Sequence, residues 1–231
     1  MRDAGPQTML RQLGVVISVG LADSLNPSTV GPALLLAAGR RRIRRVVEFT
    51  LGVASVNLLA GCVLLIGPAR VLLGLVPHPQ ATVRHLVELA AGLLLIALAV
   101  ATWSARRKLA QHPLPMAKAD GGTSTFVTGA SLAAVELPTA APYLAVVAGI
   151  AASSATIAEE VLLVVVYNVA FLTPLLAILV ALLVAGDRAD PWLRSAGAWL
   201  QRRWPVVLAG LLMFVGGVLA SLGALGLLGR R

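Results

Sequence analysis

The sequence predicts an all-α integral membrane protein with six transmembrane helices, arranged as two inverted repeats of three helices each. Of the 231 residues, 58% are hydrophobic and only 13% are charged, whereas soluble domains carry roughly 25% charged residues. Six apolar runs are long enough to span a bilayer, which takes about 20 residues. Residues 111 positions apart also match between the two halves of the chain. Such an internal repeat is typical of membrane transporters.

The six predicted spans follow one another along the chain, separated by hydrophilic gaps. They are Gly14–Ala38, Val46–Pro68, Arg84–Trp103, Phe126–Ala152, Glu159–Ala185 and Pro205–Leu228. The gap at residues 104–125 contains two prolines and two glycines, which interrupt helices and favour loops. We therefore expect a first three-helix repeat at residues 1–103, a cytoplasmic linker at 104–125 and a second repeat at 126–231, all within one membrane domain.

Four matched pairs of residues define the internal repeat. The pairs are Pro27 with Pro138, Ser28 with Thr139, Glu48 with Glu159, and Asn57 with Asn168. The chain has only three asparagines, so a shared offset for two of them is a strong signal. Because each half has an odd number of spans, the second half crosses the membrane in the opposite sense to the first.

Arginine and lysine are unevenly distributed between the two sides of the predicted membrane domain. The gaps after spans 1, 3 and 5 carry thirteen of these residues, and the opposite side carries six. Positively charged loops face the cytoplasm, so we expect a multi-pass protein of the inner (cell) membrane with both termini outside. The net charge of +9 is then loop charge. No folded basic surface is left to bind nucleic acid.

Spans 1 and 4 each contain a proline-rich segment that should break the helix. The segments are Asn26–Pro32 and Glu136–Pro142, with two prolines in each. Proline lacks a backbone donor and disrupts regular helix. In hydrocarbon the freed carbonyls must be satisfied by protein, by water in a cavity or by a ligand. Matching breaks in two inverted halves predict a substrate or ion site between them.

Two carboxylates, Asp23 and Glu136, lie close to these breaks at bilayer depth. Burying a carboxylate there costs about 3 kcal/mol on insertion scales. Either the acids bind a coupling proton or cation, or they are hydrogen-bonded to backbone opened by the kinks; the residues alone leave both possibilities open. The complete predicted site comprises Asp23, Ser24, Asn26, Pro27, Ser28, Thr29, Asn57, Glu136, Pro138, Thr139, Tyr167 and Asn168.

The sequence contains no pattern that indicates an enzyme, a cofactor or a metal site. Cys62 is the only cysteine, and the three histidines are scattered, so no metal-ligand spacing is present. A catalytic triad and a phosphate-binding glycine loop are also missing from the sequence. We therefore expect neither catalysis nor transport driven by the chain's own ATP hydrolysis.

The segments Asn26–Pro32 and Leu137–Pro142 resemble the LysE superfamily of small exporters. More closely, the chain resembles the actinobacterial GAP family of glycolipid or sulfolipid addressing proteins, over nearly its whole length. This resemblance implies an inner-membrane exporter that works by alternating access on a cell-envelope lipid, a glycolipid precursor or another small metabolite. The implied partners are the bilayer, the cargo, a coupling proton or cation, and either a second copy of the chain or an envelope-lipid export machinery.

The same architecture resembles the membrane electron carriers of cytochrome c biogenesis. In those proteins a cysteine follows a proline in spans 1 and 4. Here the matching residues are Ser28 and Thr139, and hydroxyls cannot form a disulfide. The departure argues against thiol electron transfer and for a transporter on a similar scaffold.

Two other functions remain open at this point. Two buried acids with hydroxyl and amide oxygens also suit a cation or amino-acid exporter. A membrane scaffold that assists a larger lipid exporter, without transporting anything itself, is the alternative from another class. A lipid cargo with a phosphate or sulfate head group lacks an obvious partner, because the only nearby arginine is Arg84, at the outer end of span 3.

Overall fold

The computed structural model describes residues 6–39, 41–66, 81–109, 124–151, 153 and 155–228, and within these ranges the chain is helical without strands. The α-helices are α1 (Pro6–Asp23), α2 (Pro27–Ala37), α3 (Arg42–Ile66), α4 (Ala81–Leu109), α5 (Thr125–Glu136), α6 (Ala141–Ala151), α7 (Ile157–Phe171), α8 (Thr173–Ala185) and α9 (Asp190–Leu228). Short 3₁₀ helices occupy Leu137–Thr139 and Gly186–Ala189. The predicted linker lies mostly outside the described residues.

Two stretches of helix in the described ranges are long and apolar enough to cross a membrane, namely Arg42–Ile66 and Thr173–Leu228. A third candidate is formed by α1 and α2 together, from Gln12 to Ala37, if the bent pair is counted as one span. The chain is therefore an all-helical membrane protein. The count of six spans in a three-plus-three repeat stays a prediction.

The helices break at one proline of each segment that the sequence singled out, Pro27 and Pro138, whereas Pro32 and Pro142 lie within α2 and α6. The axes of α1 and α2 differ by 63° across the break between Asp23 and Pro27. Proline is favoured at the first position of a helix because no intrahelical acceptor is needed there, and Pro27 begins α2. In the second half, α5 ends at Glu136 and a 3₁₀ turn containing Pro138 leads to α6.

The chain divides into two compact units. The first unit comprises residues 1–75 and 116–197, which hold α1–α3, α5–α8 and the beginning of α9. Within it α1 packs on α7, and α5 packs on α3. Each of these pairs therefore takes one helix from each predicted repeat.

Glycine permits the close approach of α3 and α5. A Cβ atom added to Gly52 would lie 2.1 Å from the carbonyl oxygen of Phe126. A Cβ added to Gly129 would lie 2.3 Å from the carbonyl oxygen of Phe49. The two backbones therefore touch at these glycines, which is a common way for membrane helices to gain packing energy.

The second unit comprises residues 76–115 and 198–231, with α4 and most of α9. Small residues again bring the backbones together, since a Cβ on Gly92 would lie 2.4 Å from the nitrogen of Ala220. The last predicted span begins at Pro205, but the helix that contains it begins earlier, at Asp190. The predicted span was too short because a hydropathy criterion detects only the apolar part of a helix, and the first part of this one contains polar residues such as Arg202 and Arg203.

An ion-pair cluster links the start of α3 to the start of α9 and the turn before it. The guanidinium of Arg42 pairs with the carboxylates of both Asp187 and Asp190. Next to it, Arg44 pairs with Glu48 one helical turn later, at 2.7 Å. These charged residues lie near helix ends, away from the acids at the helix breaks.

Candidate functional site

The carboxylate of Asp23 marks the end of α1 and is held by a tyrosine from the other half of the chain. The hydroxyl of Tyr167, on α7, donates a hydrogen bond of 2.6 Å to Oδ2 of Asp23. Tyr167 is only 1% exposed, and its ring stacks on Phe171 with 6.5 Å between ring centroids. The packing of α1 against α7 brings these two residues together across the break in the first helix pair.

The side chain of Asn26 makes hydrogen bonds to both α2 and Glu136 at the same break. Its Oδ1 caps α2 by accepting a hydrogen bond from the backbone nitrogen of Ser28, at 3.2 Å, and another from the Ser28 hydroxyl, at 2.6 Å. Its Nδ2 donates to Oε2 of Glu136, at 3.3 Å. One side chain thus links the first broken helix to the last residue of α5.

The carboxylate of Glu136 has further neutral polar groups beside it. The hydroxyls of Ser28 and Thr29 lie within hydrogen-bonding reach of it, although the Ser28 proton is donated to Asn26, and Asp23 is near enough to interact with it electrostatically. Asp23, Asn26, Ser28, Thr29, Glu136 and Tyr167 therefore form one polar group, which we call the carboxylate cluster. The donors named here are hydroxyls and one amide.

A second tyrosine supports the cluster from α6. The hydroxyl of Tyr143 donates to the backbone carbonyl of Asn57 on α3, and its ring lies 5.3 Å from that of Tyr167 between centroids. Gly61 makes room for it, because a Cβ there would lie 2.6 Å from the Tyr143 hydroxyl oxygen. Helices from both halves thus hold Tyr143 against Tyr167.

The remaining predicted site residues lie outside the hydrogen bonds of the carboxylate cluster. The Ser24 hydroxyl donates to the carbonyl of Leu21, at 2.6 Å, and so closes the end of α1. Pro27 is buried at the start of α2, and Pro138 is exposed. Asn57 contributes its backbone carbonyl, as described above. The side chain of Thr139 is not among those that the structure describes.

Asn168 is buried but engaged locally. Its Nδ2 donates to the carbonyl of Val164, at 2.9 Å, and its Oδ1 has no donor within the described part of the chain. The two asparagines of the repeat therefore differ, since Asn57 meets Tyr143 through its backbone and Asn168 bonds within α7. The prediction that both line a binding site remains a prediction.

Sequence reasoning missed Tyr143. The available signal was its rarity, because the chain has only two tyrosines, Tyr143 and Tyr167, and both lie at this site.

The chain also has no arginine, lysine or histidine in residues 12–39, 46–66 or 124–187. These ranges include every residue of the carboxylate cluster.

The fold and the site together define a helical membrane protein with broken helices that meet at a partly buried polar cluster. A family model described as Sap, sulfolipid-1-addressing protein, matches residues 16–224, and the chain belongs to that family. The match agrees with the predicted glycolipid or sulfolipid addressing type. Similarity to the LysE superfamily and to the cytochrome c carriers stays a prediction. Neither a curated protein nor a solved structure matches the chain.

Proposed function

We propose that the chain is a secondary transporter of the inner membrane that exports a cell-envelope lipid or glycolipid precursor by alternating access. It has six spans, and both termini lie outside. The carboxylate cluster forms the binding site, and Asp23 and Glu136 carry the coupling proton or cation. The membership of the sulfolipid-1-addressing protein family supports a lipid cargo. The proposal includes no catalytic step.

The observation that carries this proposal is a set of hydrogen bonds that join the two halves at the helix breaks. Asp23 meets Tyr167, Asn26 meets Glu136, and the Asn57 carbonyl meets Tyr143. Each bond has one partner in the first predicted repeat and one in the second. A relative movement of the halves would break or replace these bonds, which supports a mechanism of alternating access at this site.

The packing of the helices supports the same proposal. In an inverted repeat, α1 corresponds to α5 and α3 corresponds to α7. The pairing of α1 with α7 is then the symmetry mate of the pairing of α5 with α3, and both pairs are present. Crossed pairing of this kind couples the halves at two equivalent interfaces.

The test is a lipid comparison in the native host. A deletion strain is complemented with wild type, with Asp23→Ala plus Glu136→Ala, or with Asn26→Ser, and cell-retained and surface-extractable lipids are profiled. Serine still caps α2 but cannot reach Glu136 with an amide. We expect one lipid to accumulate inside and only wild type to restore its export fully. Glu48→Gln, which neutralises a half-buried acid that pairs with Arg44 outside the cluster, is the control and should behave as wild type.

Other results would contradict the proposal. Full restoration by the double variant would show that the acids are structural and would favour a scaffold that assists another exporter. No change in any lipid, together with altered tolerance of metal ions or amino acids, would favour a cation or amino-acid exporter. Immunoblots of each variant check that the protein reaches the membrane at the wild-type level.

A further inference from the structure

We propose that Arg42, Asp187 and Asp190 form a latch that closes the cytoplasmic side of the protein by joining its two halves. This role rests on the proposed transport function, because a latch acts only if the halves move. Arg42 begins α3 and belongs to the first predicted repeat. Asp187 and Asp190 belong to the second, 145 and 148 residues further along the chain. All three lie in the gaps after predicted spans 1 and 5, which we expect in the cytoplasm.

The guanidinium of Arg42 holds two acids at once. Its Nη2 donates to Oδ1 of Asp187, and its Nη1 donates to Oδ1 of Asp190. One side chain can do this because the guanidinium donors are fixed in a planar fork. The side chain of Arg42 is only 19% exposed and that of Asp190 is 31% exposed, whereas Asp187 is almost fully open to solvent. Exposed ion pairs contribute little to stability, so Asp190 should be the stronger partner of Arg42.

The backbone next to the latch adopts a left-handed conformation on both sides. Arg41, directly before Arg42, has a φ of 53° and is the one non-glycine with a positive φ among the described residues. Gly186, directly before Asp187, has the same φ. Residues other than glycine rarely adopt this conformation, because Cβ then crowds the following carbonyl oxygen. Such strain is concentrated at functional sites and switch regions, and here it lies beside the arginine that joins the halves.

The latch lies at one end of an interface between the halves. In this interface α2 and α3, from the first repeat, both contact α8, from the second. The helix α8 begins six residues after Tyr167 of the carboxylate cluster and ends at Ala185, just before the latch. Its 13 residues extend over about 20 Å at 1.5 Å per residue. Separation of α3 from α8 at the latch would open a path along α2 from the cytoplasm to the cluster.

Two neighbouring ion pairs do not join the halves. Arg44 pairs with Glu48 at 2.7 Å, but both residues lie on α3. Arg194 lies 4.0 Å from Asp190, one turn further along α9. Loss of either contact therefore leaves the connection between α3 and the start of α9 intact. This difference provides the control for the experiment.

The experiment measures access to the carboxylate cluster from each side of the membrane. Ser28→Cys is introduced into the full-length protein in a Cys62→Ser background. Its reaction with a cationic, membrane-impermeant methanethiosulfonate is then followed in inside-out vesicles and in spheroplasts. Arg42→Gln should raise the rate in inside-out vesicles at least about fivefold, because the closed state loses the contact that favours it. Arg44→Gln removes the same charge one turn away or less and should keep the parent rate.

A charge exchange tests whether the ion pair itself is responsible. Arg42→Asp alone should raise the rate in inside-out vesicles at least as much as Arg42→Gln. Arg42→Asp together with Asp190→Arg restores an arginine between two acids and should return the rate toward that of the parent. If Ser28→Cys fails to fold, Val30→Cys, half-buried on the same helix, replaces it.

Several outcomes would overturn the latch. These are an unchanged rate in Arg42→Gln, an equal increase in Arg44→Gln, an increase only in spheroplasts, no recovery on charge exchange, or no reaction in any variant. Export that requires Asp23 and Glu136, combined with labelling that is indifferent to Arg42, would refute the latch alone. Labelling that depends on Arg42, combined with export that is indifferent to the acids, would refute the proposed transport site and leave the latch standing.

Discussion

At the scale of single residues, the carboxylate cluster depends on side chains that neither repeat could supply alone. Asp23 and Asn26 come from the first half, and Glu136 and Tyr167 come from the second. A hydrogen bond to a charged group contributes about 1.5–3 kcal/mol, and a buried group left without its partner costs a comparable amount. Removing a single donor or acceptor atom from this cluster should therefore have a measurable effect on function.

The two tyrosines allow a matched test of this argument. Tyr167→Phe removes the donor to Asp23 and keeps the ring that stacks on Phe171, so we expect export to fall at least about tenfold with little loss of protein. Tyr143→Phe removes a hydroxyl that donates to a backbone carbonyl, that of Asn57, and not to a carboxylate. We expect that variant to lose about 1 kcal/mol of stability and to keep most of its export.

Export rates in the complemented deletion strain and thermal unfolding of the purified proteins check both expectations. If the two phenylalanine variants export equally well, the bond between Tyr167 and Asp23 has no special role. If Tyr167→Phe unfolds at a much lower temperature than Tyr143→Phe, its effect is on folding and not on the site.

The parts of this site that the sequence predicts are those that depend on local chemistry. Pro27 and Pro138 were expected to disturb their helices because proline lacks an N–H, and Asp23 and Glu136 stood out because carboxylates are costly in a membrane. The pairing of Asp23 with Tyr167 joins residues 144 positions apart. Such a pairing depends on how α1 packs against α7, which no local pattern encodes.

At the scale of helices, α3 and α5 are held together by backbone contact at Gly52 and Gly129. Gly52→Ala places a methyl group against the carbonyl of Phe126, so the helices must separate. Overpacking of this kind typically costs 1–3 kcal/mol, and we expect a loss of about 3 kcal/mol because both nearest atoms belong to backbone. Thermal unfolding in detergent, read by circular dichroism, measures the change.

Gly149→Ala is the matched control on α6. A Cβ there would meet nothing within 4 Å, and alanine is favoured over glycine in a helix by up to about 1 kcal/mol. We expect the control to unfold at the wild-type temperature or slightly above it. Equal destabilisation of the two variants would contradict close packing at Gly52.

At the scale of the whole molecule, the inverted arrangement predicts which loops face the cytoplasm. In a Cys62→Ser background, Arg107→Cys and Arg188→Cys should react with an impermeant maleimide only in inside-out vesicles. Ala158→Cys should react only in intact cells or spheroplasts, because the gap between the predicted spans Phe126–Ala152 and Glu159–Ala185 is expected on the opposite side. Each of these three positions is exposed in the structure. Labelling of Ala158→Cys and Arg188→Cys from the same side would contradict the predicted topology.

The crossed bonds of the carboxylate cluster also limit how the chain could have evolved. Positions 111 residues from Asp23 and Asn26 hold Ala134 and Leu137, and the position that corresponds to Tyr167 holds Val56. A protein assembled from two copies of the first half would contain the aspartate and asparagine twice but neither Glu136 nor Tyr167. Two copies of the second half would lack the opposite partners. If the halves arose by duplication, the present contacts use positions at which the two halves now differ, so a protein made of two copies of either present half would lack them.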